Sequence, residues 1–153
     1  MGRAAPEIDI FEAQVADEGG EVSQSAQFAP FNNEYVWFNT SDNLIIEDLE
    51  VSKLNTYLGG KTQQAMSVVS LTDQNCYQRE TGCKSIYGFQ YMPGYNEGYI
   101  SWINNGKLAW TLNGAGAAAD PIVEIAARPI PQEPLVRPSL RRFQGCLADR
   151  LSR

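Results

Sequence analysis

Residues 100–112, ISWINNGKLAWTL, set Asn105 and Gly106 between two runs in which apolar and polar side chains alternate. Asn-Gly supplies the positive φ values that a two-residue type I′ turn needs, and a period of two marks half-buried strands. A β-hairpin is predicted, with Trp102 and Trp110 near one another on its two arms. Other runs rich in Val, Ile, Tyr, Phe and Trp follow the same grammar: EVSQSAQFA, EYVWF, TQQAMSVVSLT, SIYGFQYM and GYISWI. Gly, Asn, Asp and Pro clusters separate them, with little sustained 3.6-residue periodicity. The expected fold is therefore an all-β sandwich. NLIIEDLEV fits either a short helix or a strand, and NGAGAAADP reads as a loop.

With 153 residues, 43% of them hydrophobic, the chain has the length and apolar content of one domain with a buried core. It contains no histidine. That excludes Ser-His-Asp and Cys-His nucleophile arrangements, the usual His-containing zinc sites and a histidine pH switch. Carboxylates are the leading chemistry left. The net charge of −6 argues against a nucleic-acid surface, where cationic contacts to phosphate dominate. No apolar run approaches the roughly 20 residues that span a bilayer, and MGRAAPEID lacks a signal-peptide apolar region. By itself the chain reads as soluble and untargeted. Residues 1–135 carry 17 acidic and seven basic side chains, whereas residues 136–153 carry five arginines against Asp149. The last 18 residues therefore read as an atypical Arg-rich tail, expected to be disordered.

Residues 2–14, GRAAPEIDIFEAQ, place Glu7, Asp9 and Glu12 in a strand-like apolar run. Residues two apart on a strand share a face, so Glu7 and Asp9 point together while Glu12 points away. One extra residue restores the phase. A β-bulge at Ile10 and Phe11 would bring all three carboxylates to one face, with Ile8 and one bulge residue turned to the core; bulges are over-represented beside active sites. Crowded like charges raise at least one pKa, which suits an acid paired with an anionic nucleophile. Retaining glycoside hydrolysis has that requirement. A solvated strand face is the bland alternative. A calcium site would need a wrapping loop that this strand lacks, and no metal is expected.

The E-x-D-x-x-E pattern resembles the catalytic strand of glycoside hydrolase family 16 in its bulged, laminarinase-like form. In order, GRAAPEIDIFEAQ, EVSQSAQFAPFN, GYISWINNGKLAWTL and ARPIPQEPL, between Gly2 and Leu135, resemble the fungal β-glucan synthesis-associated proteins. The resemblance implies a concanavalin A-like jelly-roll β-sandwich, a β-glucan polysaccharide partner, no cofactor and a role in cell-wall β-1,6-glucan synthesis. It further implies type II membrane glycoproteins of the secretory pathway or cell surface, held by an upstream anchor that is absent from this chain. For a glucosidase or transglycosylase, it implies Glu7 as nucleophile, Glu12 as general acid/base and Asp9 as the residue that tunes their protonation. A non-catalytic glucan-binding or wall-assembly protein is the alternative. In the family the carboxylate strand lies mid-domain, whereas six residues precede Glu7 here. Residues 1–135 are accordingly expected to form a partial, inactive fragment, a half-sandwich whose inner faces lack a complete second sheet.

Gln24 and Gln27, on the next strand-like run, are candidates to hydrogen-bond sugar hydroxyls, or else solvent-facing strand residues. Trp102 and Trp110, with Trp37, Tyr91, Tyr95 and Tyr99, are candidate sugar-stacking platforms, although packing is the commoner role of such rings in a sandwich. Asn39 opens an N-glycosylation sequon, Asn39-Thr40-Ser41. Cys76 and Cys83 flank a short polar segment whose spacing fits a disulfide in an oxidising lumen better than a zinc knuckle or a redox CxxC. Cys146 has no evident partner.

Overall fold

This computed structural model describes residues 6–29, 31–60, 65–76, 81–121 and 130. The expectations for Cys146 and for residues 136–153 lie outside the described residues. One four-stranded antiparallel sheet has the order β1 (Glu7–Ala16), β2 (Gly19–Gln27), β5 (Met66–Leu71), β4 (Ser52–Leu54). The other has the order β3 (Leu44–Ile46), β8 (Lys107–Asn113), β7 (Tyr99–Asn104), β6 (Gly88–Met92). The all-β reading holds, and the two sheets are consistent with a jelly-roll sandwich.

Alternation decides which side chains enter the core. On β2, Val22, Gln24 and Ala26 point inward, opposite Ser70, Val68 and Met66 of β5. From the second sheet Ile100, Trp102, Trp110 and Leu112 meet them, all with no exposed surface. Burying each such large apolar side chain contributes about 1.5–3 kcal/mol. The indoles of Trp102 and Trp110 stack with ring centroids 4.0 Å apart and planes 4° from parallel. Asn105 (φ 50°) and Gly106 (φ 76°) make the predicted left-handed turn between β7 and β8. Asn is among the few side chains that tolerate that region, and Gly has no Cβ to oppose it.

Four expectations need correction or completion. The two sheets cover each other: Ala26, Met66 and Val68 share one core cluster with Phe89, Ile100, Trp102, Trp110 and Leu112, so the inner faces are not left without a partner sheet. EYVWF is not a strand. Tyr35 and Trp37 are nevertheless buried, and the Phe38 amide donates to the Gly116 carbonyl at 2.9 Å, so this segment packs on the core as irregular chain. NLIIEDLEV opens as strand β3, and the NGAGAAADP loop contains a short 3₁₀ turn, Gly114–Ala117.

Cys76 and Cys83 are disulfide-bonded, with Cα atoms 5.3 Å apart. That lies within the usual bridging range of about 4.4–6.8 Å. Asn39 is exposed, as a glycosylation site must be.

Candidate active site

The carboxylates depend on one irregularity in β1. Glu7 pairs with Gln27 and Asp9 with Ser25; the register then shifts, and Glu12 pairs with Ser23. Since Ser23, Ser25 and Gln27 alternate along β2 on a single face, so do their partners. The bulge lies at Ile10 and Phe11, as the spacing predicts. Ile8 and Ile10 pack on the core, while Phe11 lies against Tyr87 with ring centroids 4.7 Å apart.

Two buried side chains hold the bulge from beneath. Trp102 Nε1 donates to the Asp9 carbonyl at 2.9 Å. Gln24 Nε2 donates to the Ile10 carbonyl at 2.9 Å and, across the sandwich, to the Ile103 carbonyl at 3.0 Å. Ile103 adjoins a register shift of the β7–β8 ladder, so a single amide joins the irregular points of both sheets. A bulge leaves backbone carbonyls outside the regular ladder, and buried carbonyls need donors. These contacts supply them.

On the open face, Asp9 is fixed by two donors. Ser25 Oγ lies 2.7 Å and Gln27 Nε2 2.9 Å from Asp9 Oδ2. Glu7 has its pKa raised from the ordinary 4.5: partial burial penalises its charge first, then come the Asp9 charge, a side-chain hydrogen bond to Asp9 and the Glu12 charge. Glu7 thus retains its proton to higher pH than an ordinary glutamate. A shallow depression of about 330 Å³ begins at Glu12 and runs over Ser23, Ser25 and Gln27. Its walls carry hydroxyls and amides.

The structure divides the sugar-contact candidates. Gln27 lies beside the carboxylates. Gln24 is three positions away, so strand alternation turns it inward, where it has no exposed surface and serves the bulge. Trp102 and Trp110 are likewise fully buried against each other and present no face to a sugar; they are core residues. Trp37 is 2% exposed and Tyr91 packs on the core. Tyr99 faces outward from β7 of the opposite sheet, and Tyr95 is exposed beyond β6. Two residues escaped the sequence reading: Ser25, whose signal was its place two positions from Gln27, and the exposed Tyr57 bordering the depression, for which no local signal exists. Among the described residues no group of three or more acidic or cysteine side chains is placed to hold a metal ion.

Residues 1–137 match the family model described as beta-glucan synthesis-associated protein SKN1/KRE6/Sbg1. The chain belongs to this beta-glucan synthesis-associated family. It is 33% identical over 138 residues to the beta-glucan synthesis-associated protein SKN1 of Candida albicans, covering 88% of this chain and 18% of that protein. It is 32% identical over 145 residues to KRE6 of the same organism, covering 88% and 19%. With SKN1 of Saccharomyces cerevisiae it shares 37% identity over 108 residues, covering 67% and 14%. The chain therefore spans less than one fifth of the length of these curated relatives. No solved structure matches it. Among the described residues no helix is long and apolar enough to cross a membrane.

Proposed function

We propose that Glu7, Asp9 and Glu12 form the working carboxylates of a β-glucan-active site that acts by retaining glycosyl transfer. The bulge carries this reading, since it brings Glu12 onto the face of Glu7 and Asp9 at the cost of two regular ladder positions. Glu7 attacks the anomeric carbon and forms a glycosyl ester, while Glu12 gives its proton to the departing glycosidic oxygen. In the second step Glu12 takes a proton from water or a sugar hydroxyl, and that oxygen displaces Glu7. Asp9, held by Ser25 and Gln27, lies beside Glu7 and contributes to its raised pKa, and Glu7 attacks as the carboxylate after its proton has gone to solvent. The family name supports a β-glucan as the polysaccharide. The Cys76–Cys83 disulfide and the exposed sequon at Asn39 favour the secretory lumen or cell surface.

The raised pKa of Glu7 favours a second reading, a glucan-binding or wall-assembly protein, because a neutral carboxyl hydrogen-bonds sugar hydroxyls without acting as a nucleophile. Incubation with a 2-deoxy-2-fluoroglucosyl fluoride and peptide mass spectrometry distinguishes the two. Retaining chemistry predicts one fluoroglucosyl adduct on Glu7, and a fall of about a hundredfold or more in glucan cleavage or transfer in Glu7→Gln and Glu12→Gln. Absence of an adduct, with glucan binding equal in both variants, supports the binding protein.

A further inference from the structure

The depression next to Glu12 lies on the acid/base side of the carboxylate row. Glu12 lines it, whereas Glu7 and Asp9 do not. Its floor spans two strands, with Ser23, Ser25 and Gln27 from β2 and Ser67 from β5, and Asn55 and Tyr57 close the far side. Besides Glu12 none of these side chains is charged, so the surface suits a neutral, hydroxyl-rich ligand better than an anion or a cation. A volume of about 330 Å³ is at the small end of ligand sites, roughly 300–1,000 Å³.

Tyr57 is the unusual member. Its backbone is anchored: the Tyr57 amide donates to Asn55 Oδ1 at 3.0 Å, and Asn55 Nδ2 donates to Ser67 Oγ at 3.2 Å on the floor. The residue is nevertheless 57% exposed. A large ring on a fixed backbone beside a polar depression has the form of a carbohydrate platform, flat apolar face plus polar rim. Gln27 lines the same depression, and its Nε2 is already committed to Asp9, which leaves the ring of Tyr57 and the hydroxyls of the floor as the groups a sugar would meet.

We propose that this depression is an acceptor subsite: it holds a β-linked glucosyl unit with the ring against Tyr57 and one hydroxyl directed at Glu12. The proposal rests on the retaining reading above. In the transfer step the acceptor oxygen forms a bond to the anomeric carbon, the bond from that carbon to the Glu7 carboxylate breaks with its electron pair, and the acceptor proton goes to Glu12. An acceptor so held competes with water, and the subsite thereby favours transfer over hydrolysis.

The test uses laminaribiose and gentiobiose as probes, with a mannose disaccharide as control, on the full isotopically labelled chain. The two glucose disaccharides are expected to shift the amide signals of Ser23, Ser25, Asn55, Tyr57 and Ser67. Tyr57→Ala should weaken binding about fivefold or more, and Tyr57→Phe should restore it, since the ring is what stacks. Shifts confined to other surfaces, or equal affinity in wild type and Tyr57→Ala, overturn the subsite. Fluoroglucosyl-trapped protein is then offered laminaribiose or buffer alone; Tyr57→Ala should shift its products from transfer towards hydrolysis. Trapping on Glu7 with a product ratio insensitive to Tyr57 removes the subsite and leaves the retaining reading intact. Disaccharide binding at Tyr57 without trapping removes the retaining reading and, with it, the acceptor role.

Discussion

The indole nitrogen of Trp102 donates to the backbone carbonyl of Asp9 at 2.9 Å, so a ring in the centre of the sandwich holds the strand that carries the carboxylates. Its stacked neighbour Trp110 has no hydrogen-bond partner for its own indole nitrogen among the described residues. The two tryptophans contribute similar apolar burial, but only Trp102 is tied to the bulge. Trp102→Phe should therefore destabilise through both lost volume and an unpaired Asp9 carbonyl, by about 2–4 kcal/mol. Trp110→Phe should cost less. Chemical denaturation of the two variants checks the order.

Gln24→Leu tests the inward amide. It removes donors from two carbonyls, Ile10 and Ile103, each a loss of about 1–3 kcal/mol, but also removes the unpaired Gln24 Oε1, which offsets part of that cost. The expected net is a destabilisation of about 1–3 kcal/mol with faster hydrogen exchange at the β1 bulge. An unchanged exchange pattern there would show that the amide does not hold the two irregular points together.

The protonation of Glu7 makes a prediction about stability against pH. Its pKa is raised in the fold above the ordinary 4.5, so its favourable contribution is complete below that value and is lost as pH rises through the folded pKa. Glu7→Gln removes the ionisation. The variant should melt higher than wild type near neutral pH, and the two should converge below about pH 4.5. Melting curves across that interval decide it; a wild type more stable than the variant at neutral pH would contradict the sign.

Asp9→Asn should lower the Glu7 pKa, because it removes the neighbouring charge and the ionised acceptor while keeping the shape of the side chain. Carbon-detected titration of Glu7 reads this without any activity. In an active preparation, the acidic limb of the pH–rate profile should move the same way, to lower pH.

Replacing Cys76 and Cys83 by Ser opens a short loop. Chain-entropy reasoning for a separation of seven residues gives a loss of roughly 2–3 kcal/mol. The same loss should follow reduction of the wild-type chain, and denaturation with and without reductant measures it.

Much of the carboxylate strand was legible in residue order. Glu7, Asp9 and Glu12 are out of phase for a regular strand, and the bulge at Ile10 and Phe11 is the local solution that unites them. Asn105 and Gly106 announced their turn because few other pairs tolerate positive φ at both positions. By contrast, EYVWF has strand composition, yet Tyr35 and Trp37 reach the core from irregular chain, since burial rather than backbone pairing satisfies their rings.

Period and turn chemistry are local quantities, fixed by side-chain direction and backbone sterics over a few residues. They determined β1, β2 and β5 to β8, the hairpin, the bulge and the pairing of carboxylates on one face. What lies across from each side chain is a property of two sheets meeting, and no local pattern encodes it. Only the tertiary structure could turn Trp102 and Gln24 from sugar contacts into the support beneath the bulge, and Trp110 into a core residue. Only it could bring Tyr57, 45 positions from Glu12 in the chain, to the edge of the same depression. An aromatic ring at a strand position reads the same whether it faces a core or a cleft, and the packing of the opposite sheet decides which.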